Sequence, residues 1–387
     1  MRIVHIITRM IVGGAQENTL LCCRDLRREH GDEVVLVTGP ALGPEGDLLK
    51  QHADFEVPVV LLNSLRRPIH PLRDTRAYFQ IRNVLRDIRP DIVHTHSAKG
   101  GFLGRLAAHR QGIPVVHTVH GAPFHQYQHD AARMLFTMCE RWAARRCDRL
   151  ICVADAMTDL LVKAHVTSPD HCTTIYSGMD VEPFLRAEEQ RDPTRRELGF
   201  ESHHVVIGKI ARLFHLKGHD DLIGAAEGVI RRNPDVRFLL VGDGILRADI
   251  ERRLERLGLR EHFVLTGLVP PNRIPTLIGA MDALVHVSLR EGLARALPQA
   301  LIAGKPVVSY AVDGAPEVVL PEETGLLVEP RNVGQLEQAL LRIASDPAIR
   351  REWGRAGRER FTDRFRHQTM TAAIRRLYED VLAKRSG

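Results

Sequence analysis

The sequence contains no run of 18 apolar residues, which excludes a helix long enough to cross a bilayer. It opens on Arg2-Ile3-Val4-His5-Ile6-Ile7-Thr8, which reads as a buried strand rather than the charged start and apolar stretch of a cleavable leader. Its six cysteines (Cys22, Cys23, Cys139, Cys147, Cys152, Cys172) form no Cys-x-x-Cys pair and keep no regular spacing, so reduced and mostly buried thiols in a cytoplasmic setting are expected. Aromatic residues make up only 5% of the chain and are not interleaved with basic ones, which argues against a stacking platform for nucleic acid. No Asp-x-Asp pair occurs, and no His-x-x-x-His pair is joined by an evident third ligand. No metal and no cofactor are expected.

What is present suits two globular domains. A chain of 387 residues is too long for one ordinary core, and 44% hydrophobic with 26% charged residues is the balance of a folded protein. The net charge of +6 is uneven: residues 350–387 carry 11 Lys and Arg against 5 Asp and Glu, which supplies the whole excess. A basic tail of this kind can attract an anionic membrane surface. A solvated helix face packed on its neighbour is the commoner outcome.

Strand and helix patterns alternate along the first half. Strands are expected at 2–8, 33–37, 59–62, 92–96, 115–120, 149–153 and 174–176, with helices near 15–30 and 75–88. Residues 187–197 are polar, charged and broken by Pro193, and read as a linker. The alternation then restarts with strands at 205–211, 237–241, 263–266, 283–287 and 307–310. An α/β fold of two doubly wound parallel sheets follows, with domains at 1–186 and 198–363.

The most informative stretch is Ser288–Ser309. An apolar strand runs into Glu291-Gly292-Leu293-Ala294, a short helix follows, and Gly304-Lys305-Pro306 stops it before the next strand. A strand, a glycine turn and a helix offer backbone N–H groups and a positive helix end to a phosphate. Gln299 lies eight residues beyond Glu291. With most of that interval helical, their side chains stand roughly 12 Å apart along the axis. That span suits a hexose and a ribose joined through a diphosphate.

This segment resembles the signature of the retaining glycosyltransferases of family 4, which is Glu, seven residues, Glu, then a small residue, Gly and Pro-Val-Val. The first acid falls on Glu291, but the second position holds Gln299, an amide without charge. The resemblance extends to Arg212 and Lys217-Gly218, whose cations would hold the donor diphosphate as it departs. It includes Gly242-Asp243-Gly244, the nucleobase-contacting turn ending in Val269, and Asp313–Glu317. In the first half it covers Val12-Gly13-Gly14-Ala15, His94-Thr95-His96, and His117-Thr118-Val119-His120-Gly121.

What the resemblance implies is specific. The fold would be GT-B, two Rossmann-like domains facing across a cleft, with residues 364–387 crossing back to the first domain. The second domain would bind a nucleotide diphosphate sugar, a UDP-sugar ahead of a GDP-sugar, and the first a glycan or lipid-linked acceptor. Arg212 and Lys217 would stabilise the leaving group, Glu291 would position the sugar, and His120 would support its reacting side. Gly13, Gly14, Gly242, Val269, Gly292, Leu293, Ala294 and Gln299 would complete the donor site. Peripheral contact with the cytoplasmic face of a membrane fits such an acceptor. A nucleotide-sugar 2-epimerase of the same fold and a non-catalytic sugar-nucleotide binding protein stay open as alternatives.

Overall fold

A computed structural model describes residues 1–43, 45–52 and 54–386. The chain divides into two compact units. Unit 1 comprises Met1–Met179 and the segment from Arg364 onward, and unit 2 comprises Asp180–Asp363.

Unit 1 is built on seven parallel strands: β1 Arg2–Arg9, β2 Glu33–Gly39, β3 Val59–Leu61, β4 Ile92–His96, β5 Val115–Val119, β6 Arg149–Cys152 and β7 Cys172–Thr174. Their order is β3-β2-β1-β4-β5-β6-β7, so the chain reverses direction across the sheet between β1 and β4. Strands β1, β4 and β5 are almost wholly buried, as expected of a parallel sheet covered on both faces. The C-terminal helix His367–Ser386 packs on the first helix, Gly14–Arg28, through Met370, Ile374, Leu377 and Tyr378. Buried polar bonds fix its register: His367 Nδ1 lies 2.6 Å from Asp25 Oδ2, and Thr371 donates to the same oxygen at 3.1 Å. Arg375 donates to Asp32, which also holds the N-terminal amine. Arg385 pairs with Asp148. Several bases of the charged tail are therefore ties within unit 1.

Unit 2 holds six parallel strands: β8 Val205–Ile210, β9 Val236–Val241, β10 Phe263–Gly267, β11 Ala283–His286, β12 Val307–Tyr310 and β13 Gly325–Val328. Their order is β10-β9-β8-β11-β12-β13, and the direction reverses between β8 and β11. Phe238 and Phe263 stack at 4.8 Å between ring centres inside the core, beside Leu240, Val285 and Val308.

Two expectations are corrected here, and one strand is added. Residues 187–197 are not a solvated linker: Ala187–Gln190 is a 3-10 helix and Arg191–Glu197 an α-helix, both within unit 2. Their polar composition hides structural arginines. Arg195, 4% exposed, bonds the carbonyls of Glu201 and His204 and pairs with Asp282, which Arg191 also grips at 2.6 Å. The last strand of unit 1 is Cys172–Thr174, two residues earlier than expected. Strand β13 has no counterpart in the sequence reading, because it is short and begins on Gly325.

Candidate functional site

In a doubly wound sheet, loops leaving the carboxyl ends of adjacent strands diverge where the strand order reverses, and the gap between them is where ligands bind. In unit 2 those loops follow β8 and β11. The first carries Arg212 and Lys217, and the second carries Glu291. The structure joins them: Lys217 Nζ donates to Glu291 Oε1. The backbone makes this meeting possible. Gly218 adopts φ 68°, and a Cβ there would lie 1.9 Å from the carbonyl oxygen of Val287, so only glycine lets the β8 loop press on the end of β11. Leu289 N–H donates to the Leu216 carbonyl at 2.8 Å and ties the loops together. The loop after β12 adds Asp313, whose carboxylate accepts the Glu291 N–H at 2.6 Å.

Burial alone would raise the pKa of the Glu291 carboxyl. The neighbouring His286 ring, 3.4 Å away, and the Lys217 ammonium outweigh that and hold it well below the ordinary carboxylate range. The carboxylate is thus charged at every physiological pH. His286 faces Glu291 through Nε2, and its Nδ1 has no hydrogen-bond partner. Other buried polar atoms without partners gather in the same electrostatic cluster: Ser288 Oγ, His219 Nδ1 and Lys209 Nζ. Burial and the nearby Lys217 charge push the Lys209 amine down to about 7, and burial with Lys209 pushes His219 down to about 4. Native proteins leave few buried polar groups unpaired, and a cluster of them marks a place kept for something other than stability. The hollow lined by His286, Ser288 and Glu291 has room for about one water, so a ligand must lie outside it. A separate hollow of unit 2, about 1260 Å³, is lined by His215, Arg253 and Arg331 among others and includes neither Lys217 nor Glu291.

The remaining residues named from the sequence fall as follows. Arg212 is exposed, its guanidinium 5.0 Å from the centre of the Phe214 ring. Gly242 follows β9 with φ 136° and donates to the carbonyl of Gly267, the last residue of β10, bringing the Val269 turn to the same sheet edge. Gly292, through its carbonyl, accepts the N–H of Gly314. Leu293 is half-buried and Ala294 buried. The interval from Glu291 to Gln299 is not mostly helical: the helix spans only Ala296–Ile302, so the axial spacing inferred above does not hold. Gln299 sits half-buried in that helix. Sequence reasoning missed Lys209, His219, His286 and Ser288 as neighbours of the pair, while Asp313 lies in the Asp313–Glu317 segment already named from the resemblance. A polar residue inside an apolar strand, such as His286 in Ala283–His286, was the available signal.

In unit 1, Gly13 is extended at φ 171°, so its place needs no left-handed conformation, and Gly14 begins the first helix. His120 is half-buried just beyond β5, its Nε2 3.2 Å from His96 Nδ1. One histidine group was not foreseen: among the described residues, His5, His94 and His96 bring ring nitrogens within 4.8 Å of one another. All six of their nitrogens already face a protein partner within hydrogen-bonding distance.

Residues 190–360 match the family described as Glycosyl transferases group 1, and residues 12–183 match Glycosyltransferase Family 4. The chain is 30% identical over 287 residues to the 2-deoxystreptamine glucosyltransferase of Streptomyces kanamyceticus, covering 73% of this chain and 74% of that one. It belongs to glycosyltransferase family 4. The family-4 chain is also 29% identical over 352 residues to the UDP-Gal:alpha-D-GlcNAc-diphosphoundecaprenol alpha-1,3-galactosyltransferase of Escherichia coli, covering 90% of this chain and 89% of that enzyme. Among solved structures, HepE of Anabaena in complex with UDP matches with a TM-score of 0.82 at 21% identity, over 98% of this chain and all of that one (100%). The glycosyltransferase fold is GT-B, as the sequence led us to expect.

Proposed function

We propose that the enzyme moves a sugar from a nucleoside diphosphate to a glycan or lipid-linked acceptor, keeping the anomeric configuration and using no metal. The observation that carries this reading is the Lys217–Glu291 pair at the reversal point of the unit 2 sheet. A departing diphosphate gains negative charge, and Arg212 with Lys217 supplies fixed positive charge for it. Glu291, held ionised, accepts hydrogen bonds from sugar hydroxyls. Glu291 is assigned to holding sugar hydroxyls rather than to attacking the anomeric carbon, which favours departure and attack on one face. His120 serves as a hydrogen-bonding group for a sugar hydroxyl. Gly242, Val269, Gly292, Leu293, Ala294 and Gln299 complete the donor side of unit 2.

The choice of a UDP-sugar draws on the UDP-galactose in the name of the Escherichia coli relative and the UDP bound to HepE. A polyprenyl diphosphate-linked acceptor draws on the same relative. One surface supports contact with a membrane carrying such a lipid. The helix Asp130–Ala144 exposes Met134, Leu135, Met138 and Trp142 along one side, with Arg133 and Arg145 exposed beside them. Apolar anchors flanked by bases suit an anionic lipid surface. Sedimentation with anionic vesicles, lost on Met134→Asp with Met138→Asp, checks this contact.

The reaction itself is tested by incubating the enzyme with UDP- and GDP-sugars and a lipid diphosphate-linked acceptor in excess chelator. Transfer from a UDP-sugar, UDP release only with acceptor, and a product of unchanged anomeric configuration are expected. An inverted product, or activity lost in chelator and restored by a divalent ion, overturns the reading.

A further inference from the structure

A hollow of about 440 Å³ opens at the amino ends of β11 and β12. Asp282, in its wall, immediately precedes β11, and Lys305 stands two residues before β12. The two strands are parallel, so their amino ends lie on the sheet edge opposite to the one that carries Lys217 and Glu291. A four-residue strand separates those edges by roughly 13 Å. The hollow is therefore no part of the site described above.

Its charge is lopsided. Six bases line it, Arg191, Lys305, Arg350, Arg351, Arg355 and Arg358, against two acids, Glu188 and Asp282. Most of these groups have structural partners. Asp282 is held by Arg191 and Arg195, and Glu188 accepts from Lys305 Nζ at 2.5 Å. Arg350 donates to the carbonyls of Ile343 and Ala344 in the last turn of the helix Val333–Ser345. Arg358 donates to the carbonyl of Ile302, where the helix Ala296–Ile302 ends. Each covers the negative end of a helix. Arg351 and Arg355 have no such duty: among the described residues, neither makes a hydrogen bond or an ion pair.

The helix Pro347–Phe361 brings these two together. Positions 347, 351, 355 and 358 are three and four apart and share one face, while the helix's acids, Glu352 and Glu359, lie off the hollow. Like charges four apart on a helix destabilise it. Lys305 adds a cation that is only 6% exposed, and burial lowers its pKa, so its charge too is held against a cost. Cations gathered around a hollow at the expense of stability suit a polyanion. Guanidinium forks match the oxygens of phosphate in particular.

We propose that this hollow is a separate anion site, in which Arg351, Arg355 and Lys305 bind a small ligand that carries two or more phosphate groups. Nothing in this depends on the donor site. A free phosphorylated molecule and the headgroup of an anionic lipid share the chemistry.

The test titrates inorganic pyrophosphate into the full-length protein by calorimetry, in chelator, and follows the melting temperature alongside. Arg351→Gln with Arg355→Gln keeps helix propensity and removes both charges. Without pyrophosphate this double variant should melt at the parent's temperature or above it, because repulsion is relieved. Pyrophosphate should bind the parent and raise its melting temperature, and that binding should weaken at least about tenfold in the double variant. Lys217→Ala, which alters the opposite edge of the sheet, should keep the binding event that the double variant loses. A parent that binds no pyrophosphate, a double variant that binds it as the parent does, or a double variant less stable than the parent without ligand overturns the site. Sedimentation with mixed phosphatidylcholine and cardiolipin vesicles separates the two sources. Equal sedimentation of parent and double variant assigns a free anion; loss in the double variant, with pyrophosphate displacing the parent, assigns a lipid headgroup.

Discussion

Lys217 and Glu291, 74 residues apart, are bonded to each other across the point where the strand order of the six-stranded sheet reverses. In the function proposed above, the free enzyme holds the cation assigned to phosphate against the carboxylate assigned to the sugar, and donor binding would exchange that pairing, the ammonium turning to the diphosphate and the carboxylate to sugar hydroxyls. Lys217→Ala is therefore expected to lose on the order of 10²–10³ in kcat, the usual cost of one preorganised group at a developing charge. Its melting temperature should change by only a few degrees, since the pair is partly exposed. Steady-state kinetics with the identified donor check this, and parental turnover would contradict it.

Gln299 departs from the family signature in charge. An amide has one acceptor oxygen where a carboxylate has two, and charge-assisted bonds are about twice as strong. Its effect should fall on a remote part of the donor held alike before and during transfer. Gln299→Glu is expected to change donor KM several-fold with kcat within about threefold. A large kcat change at constant KM would place the residue at the reacting end.

Lys209 buries an amine that has no hydrogen-bond partner. Desolvation and the Lys217 charge lower its pKa from 10.5 to about 7. The unfolded chain binds this proton more tightly, so the parent's stability should rise as pH increases from about 7 towards 10.5. Lys209→Met removes that dependence and should stabilise the fold by roughly 1–3 kcal/mol near neutral pH. Thermal unfolding across that pH range checks both signs; a less stable variant with the same pH slope would contradict them.

The buried histidines make the opposite end of the pH range informative. Burial lowers the pKa of His5 from 6.5 to about 3, and lowers His94, His96 and His117 well below 6.5. Their folded values lie below their unfolded ones, so the stability they contribute is complete above 6.5 and falls as pH drops through the window beneath it. Each such histidine contributes up to about 1.4 kcal/mol per pH unit there. The melting temperature is expected to fall between about pH 7 and pH 5, before most carboxylates titrate. A flat profile over that interval would contradict the buried neutral state.

The sequence made the alternation of strands and helices visible because apolar runs such as Ile3–Ile7 and Leu239–Val241 leave few other readings. The loops after β8 and β11 were legible for the same reason: each follows an unmistakable strand. What stayed hidden depends on contacts between distant residues. Nothing local says that His5 will stand opposite His94, because parallel register is set by the whole sheet. Nor does composition reveal that Arg191 and Arg195 are struts, since a buried arginine and a solvated one look alike in a sequence. The helix after Glu291 begins at Ala296 because residues 291–295 are drawn into bonds with other loops, among them Asp313 and Gly314.

The assignment of Lys217 to phosphate and Glu291 to sugar is tested most directly by calorimetric titration of UDP, which lacks the sugar, in the presence of chelator. Lys217→Ala should weaken UDP by at least about tenfold, the cost of one charge-assisted hydrogen bond. Glu291→Gln, which frees the Lys217 ammonium from its partner, should bind UDP as tightly as the parent or more so, while losing transfer. Unchanged UDP affinity in Lys217→Ala, or a loss in Glu291→Gln equal to that in Lys217→Ala, would contradict the account.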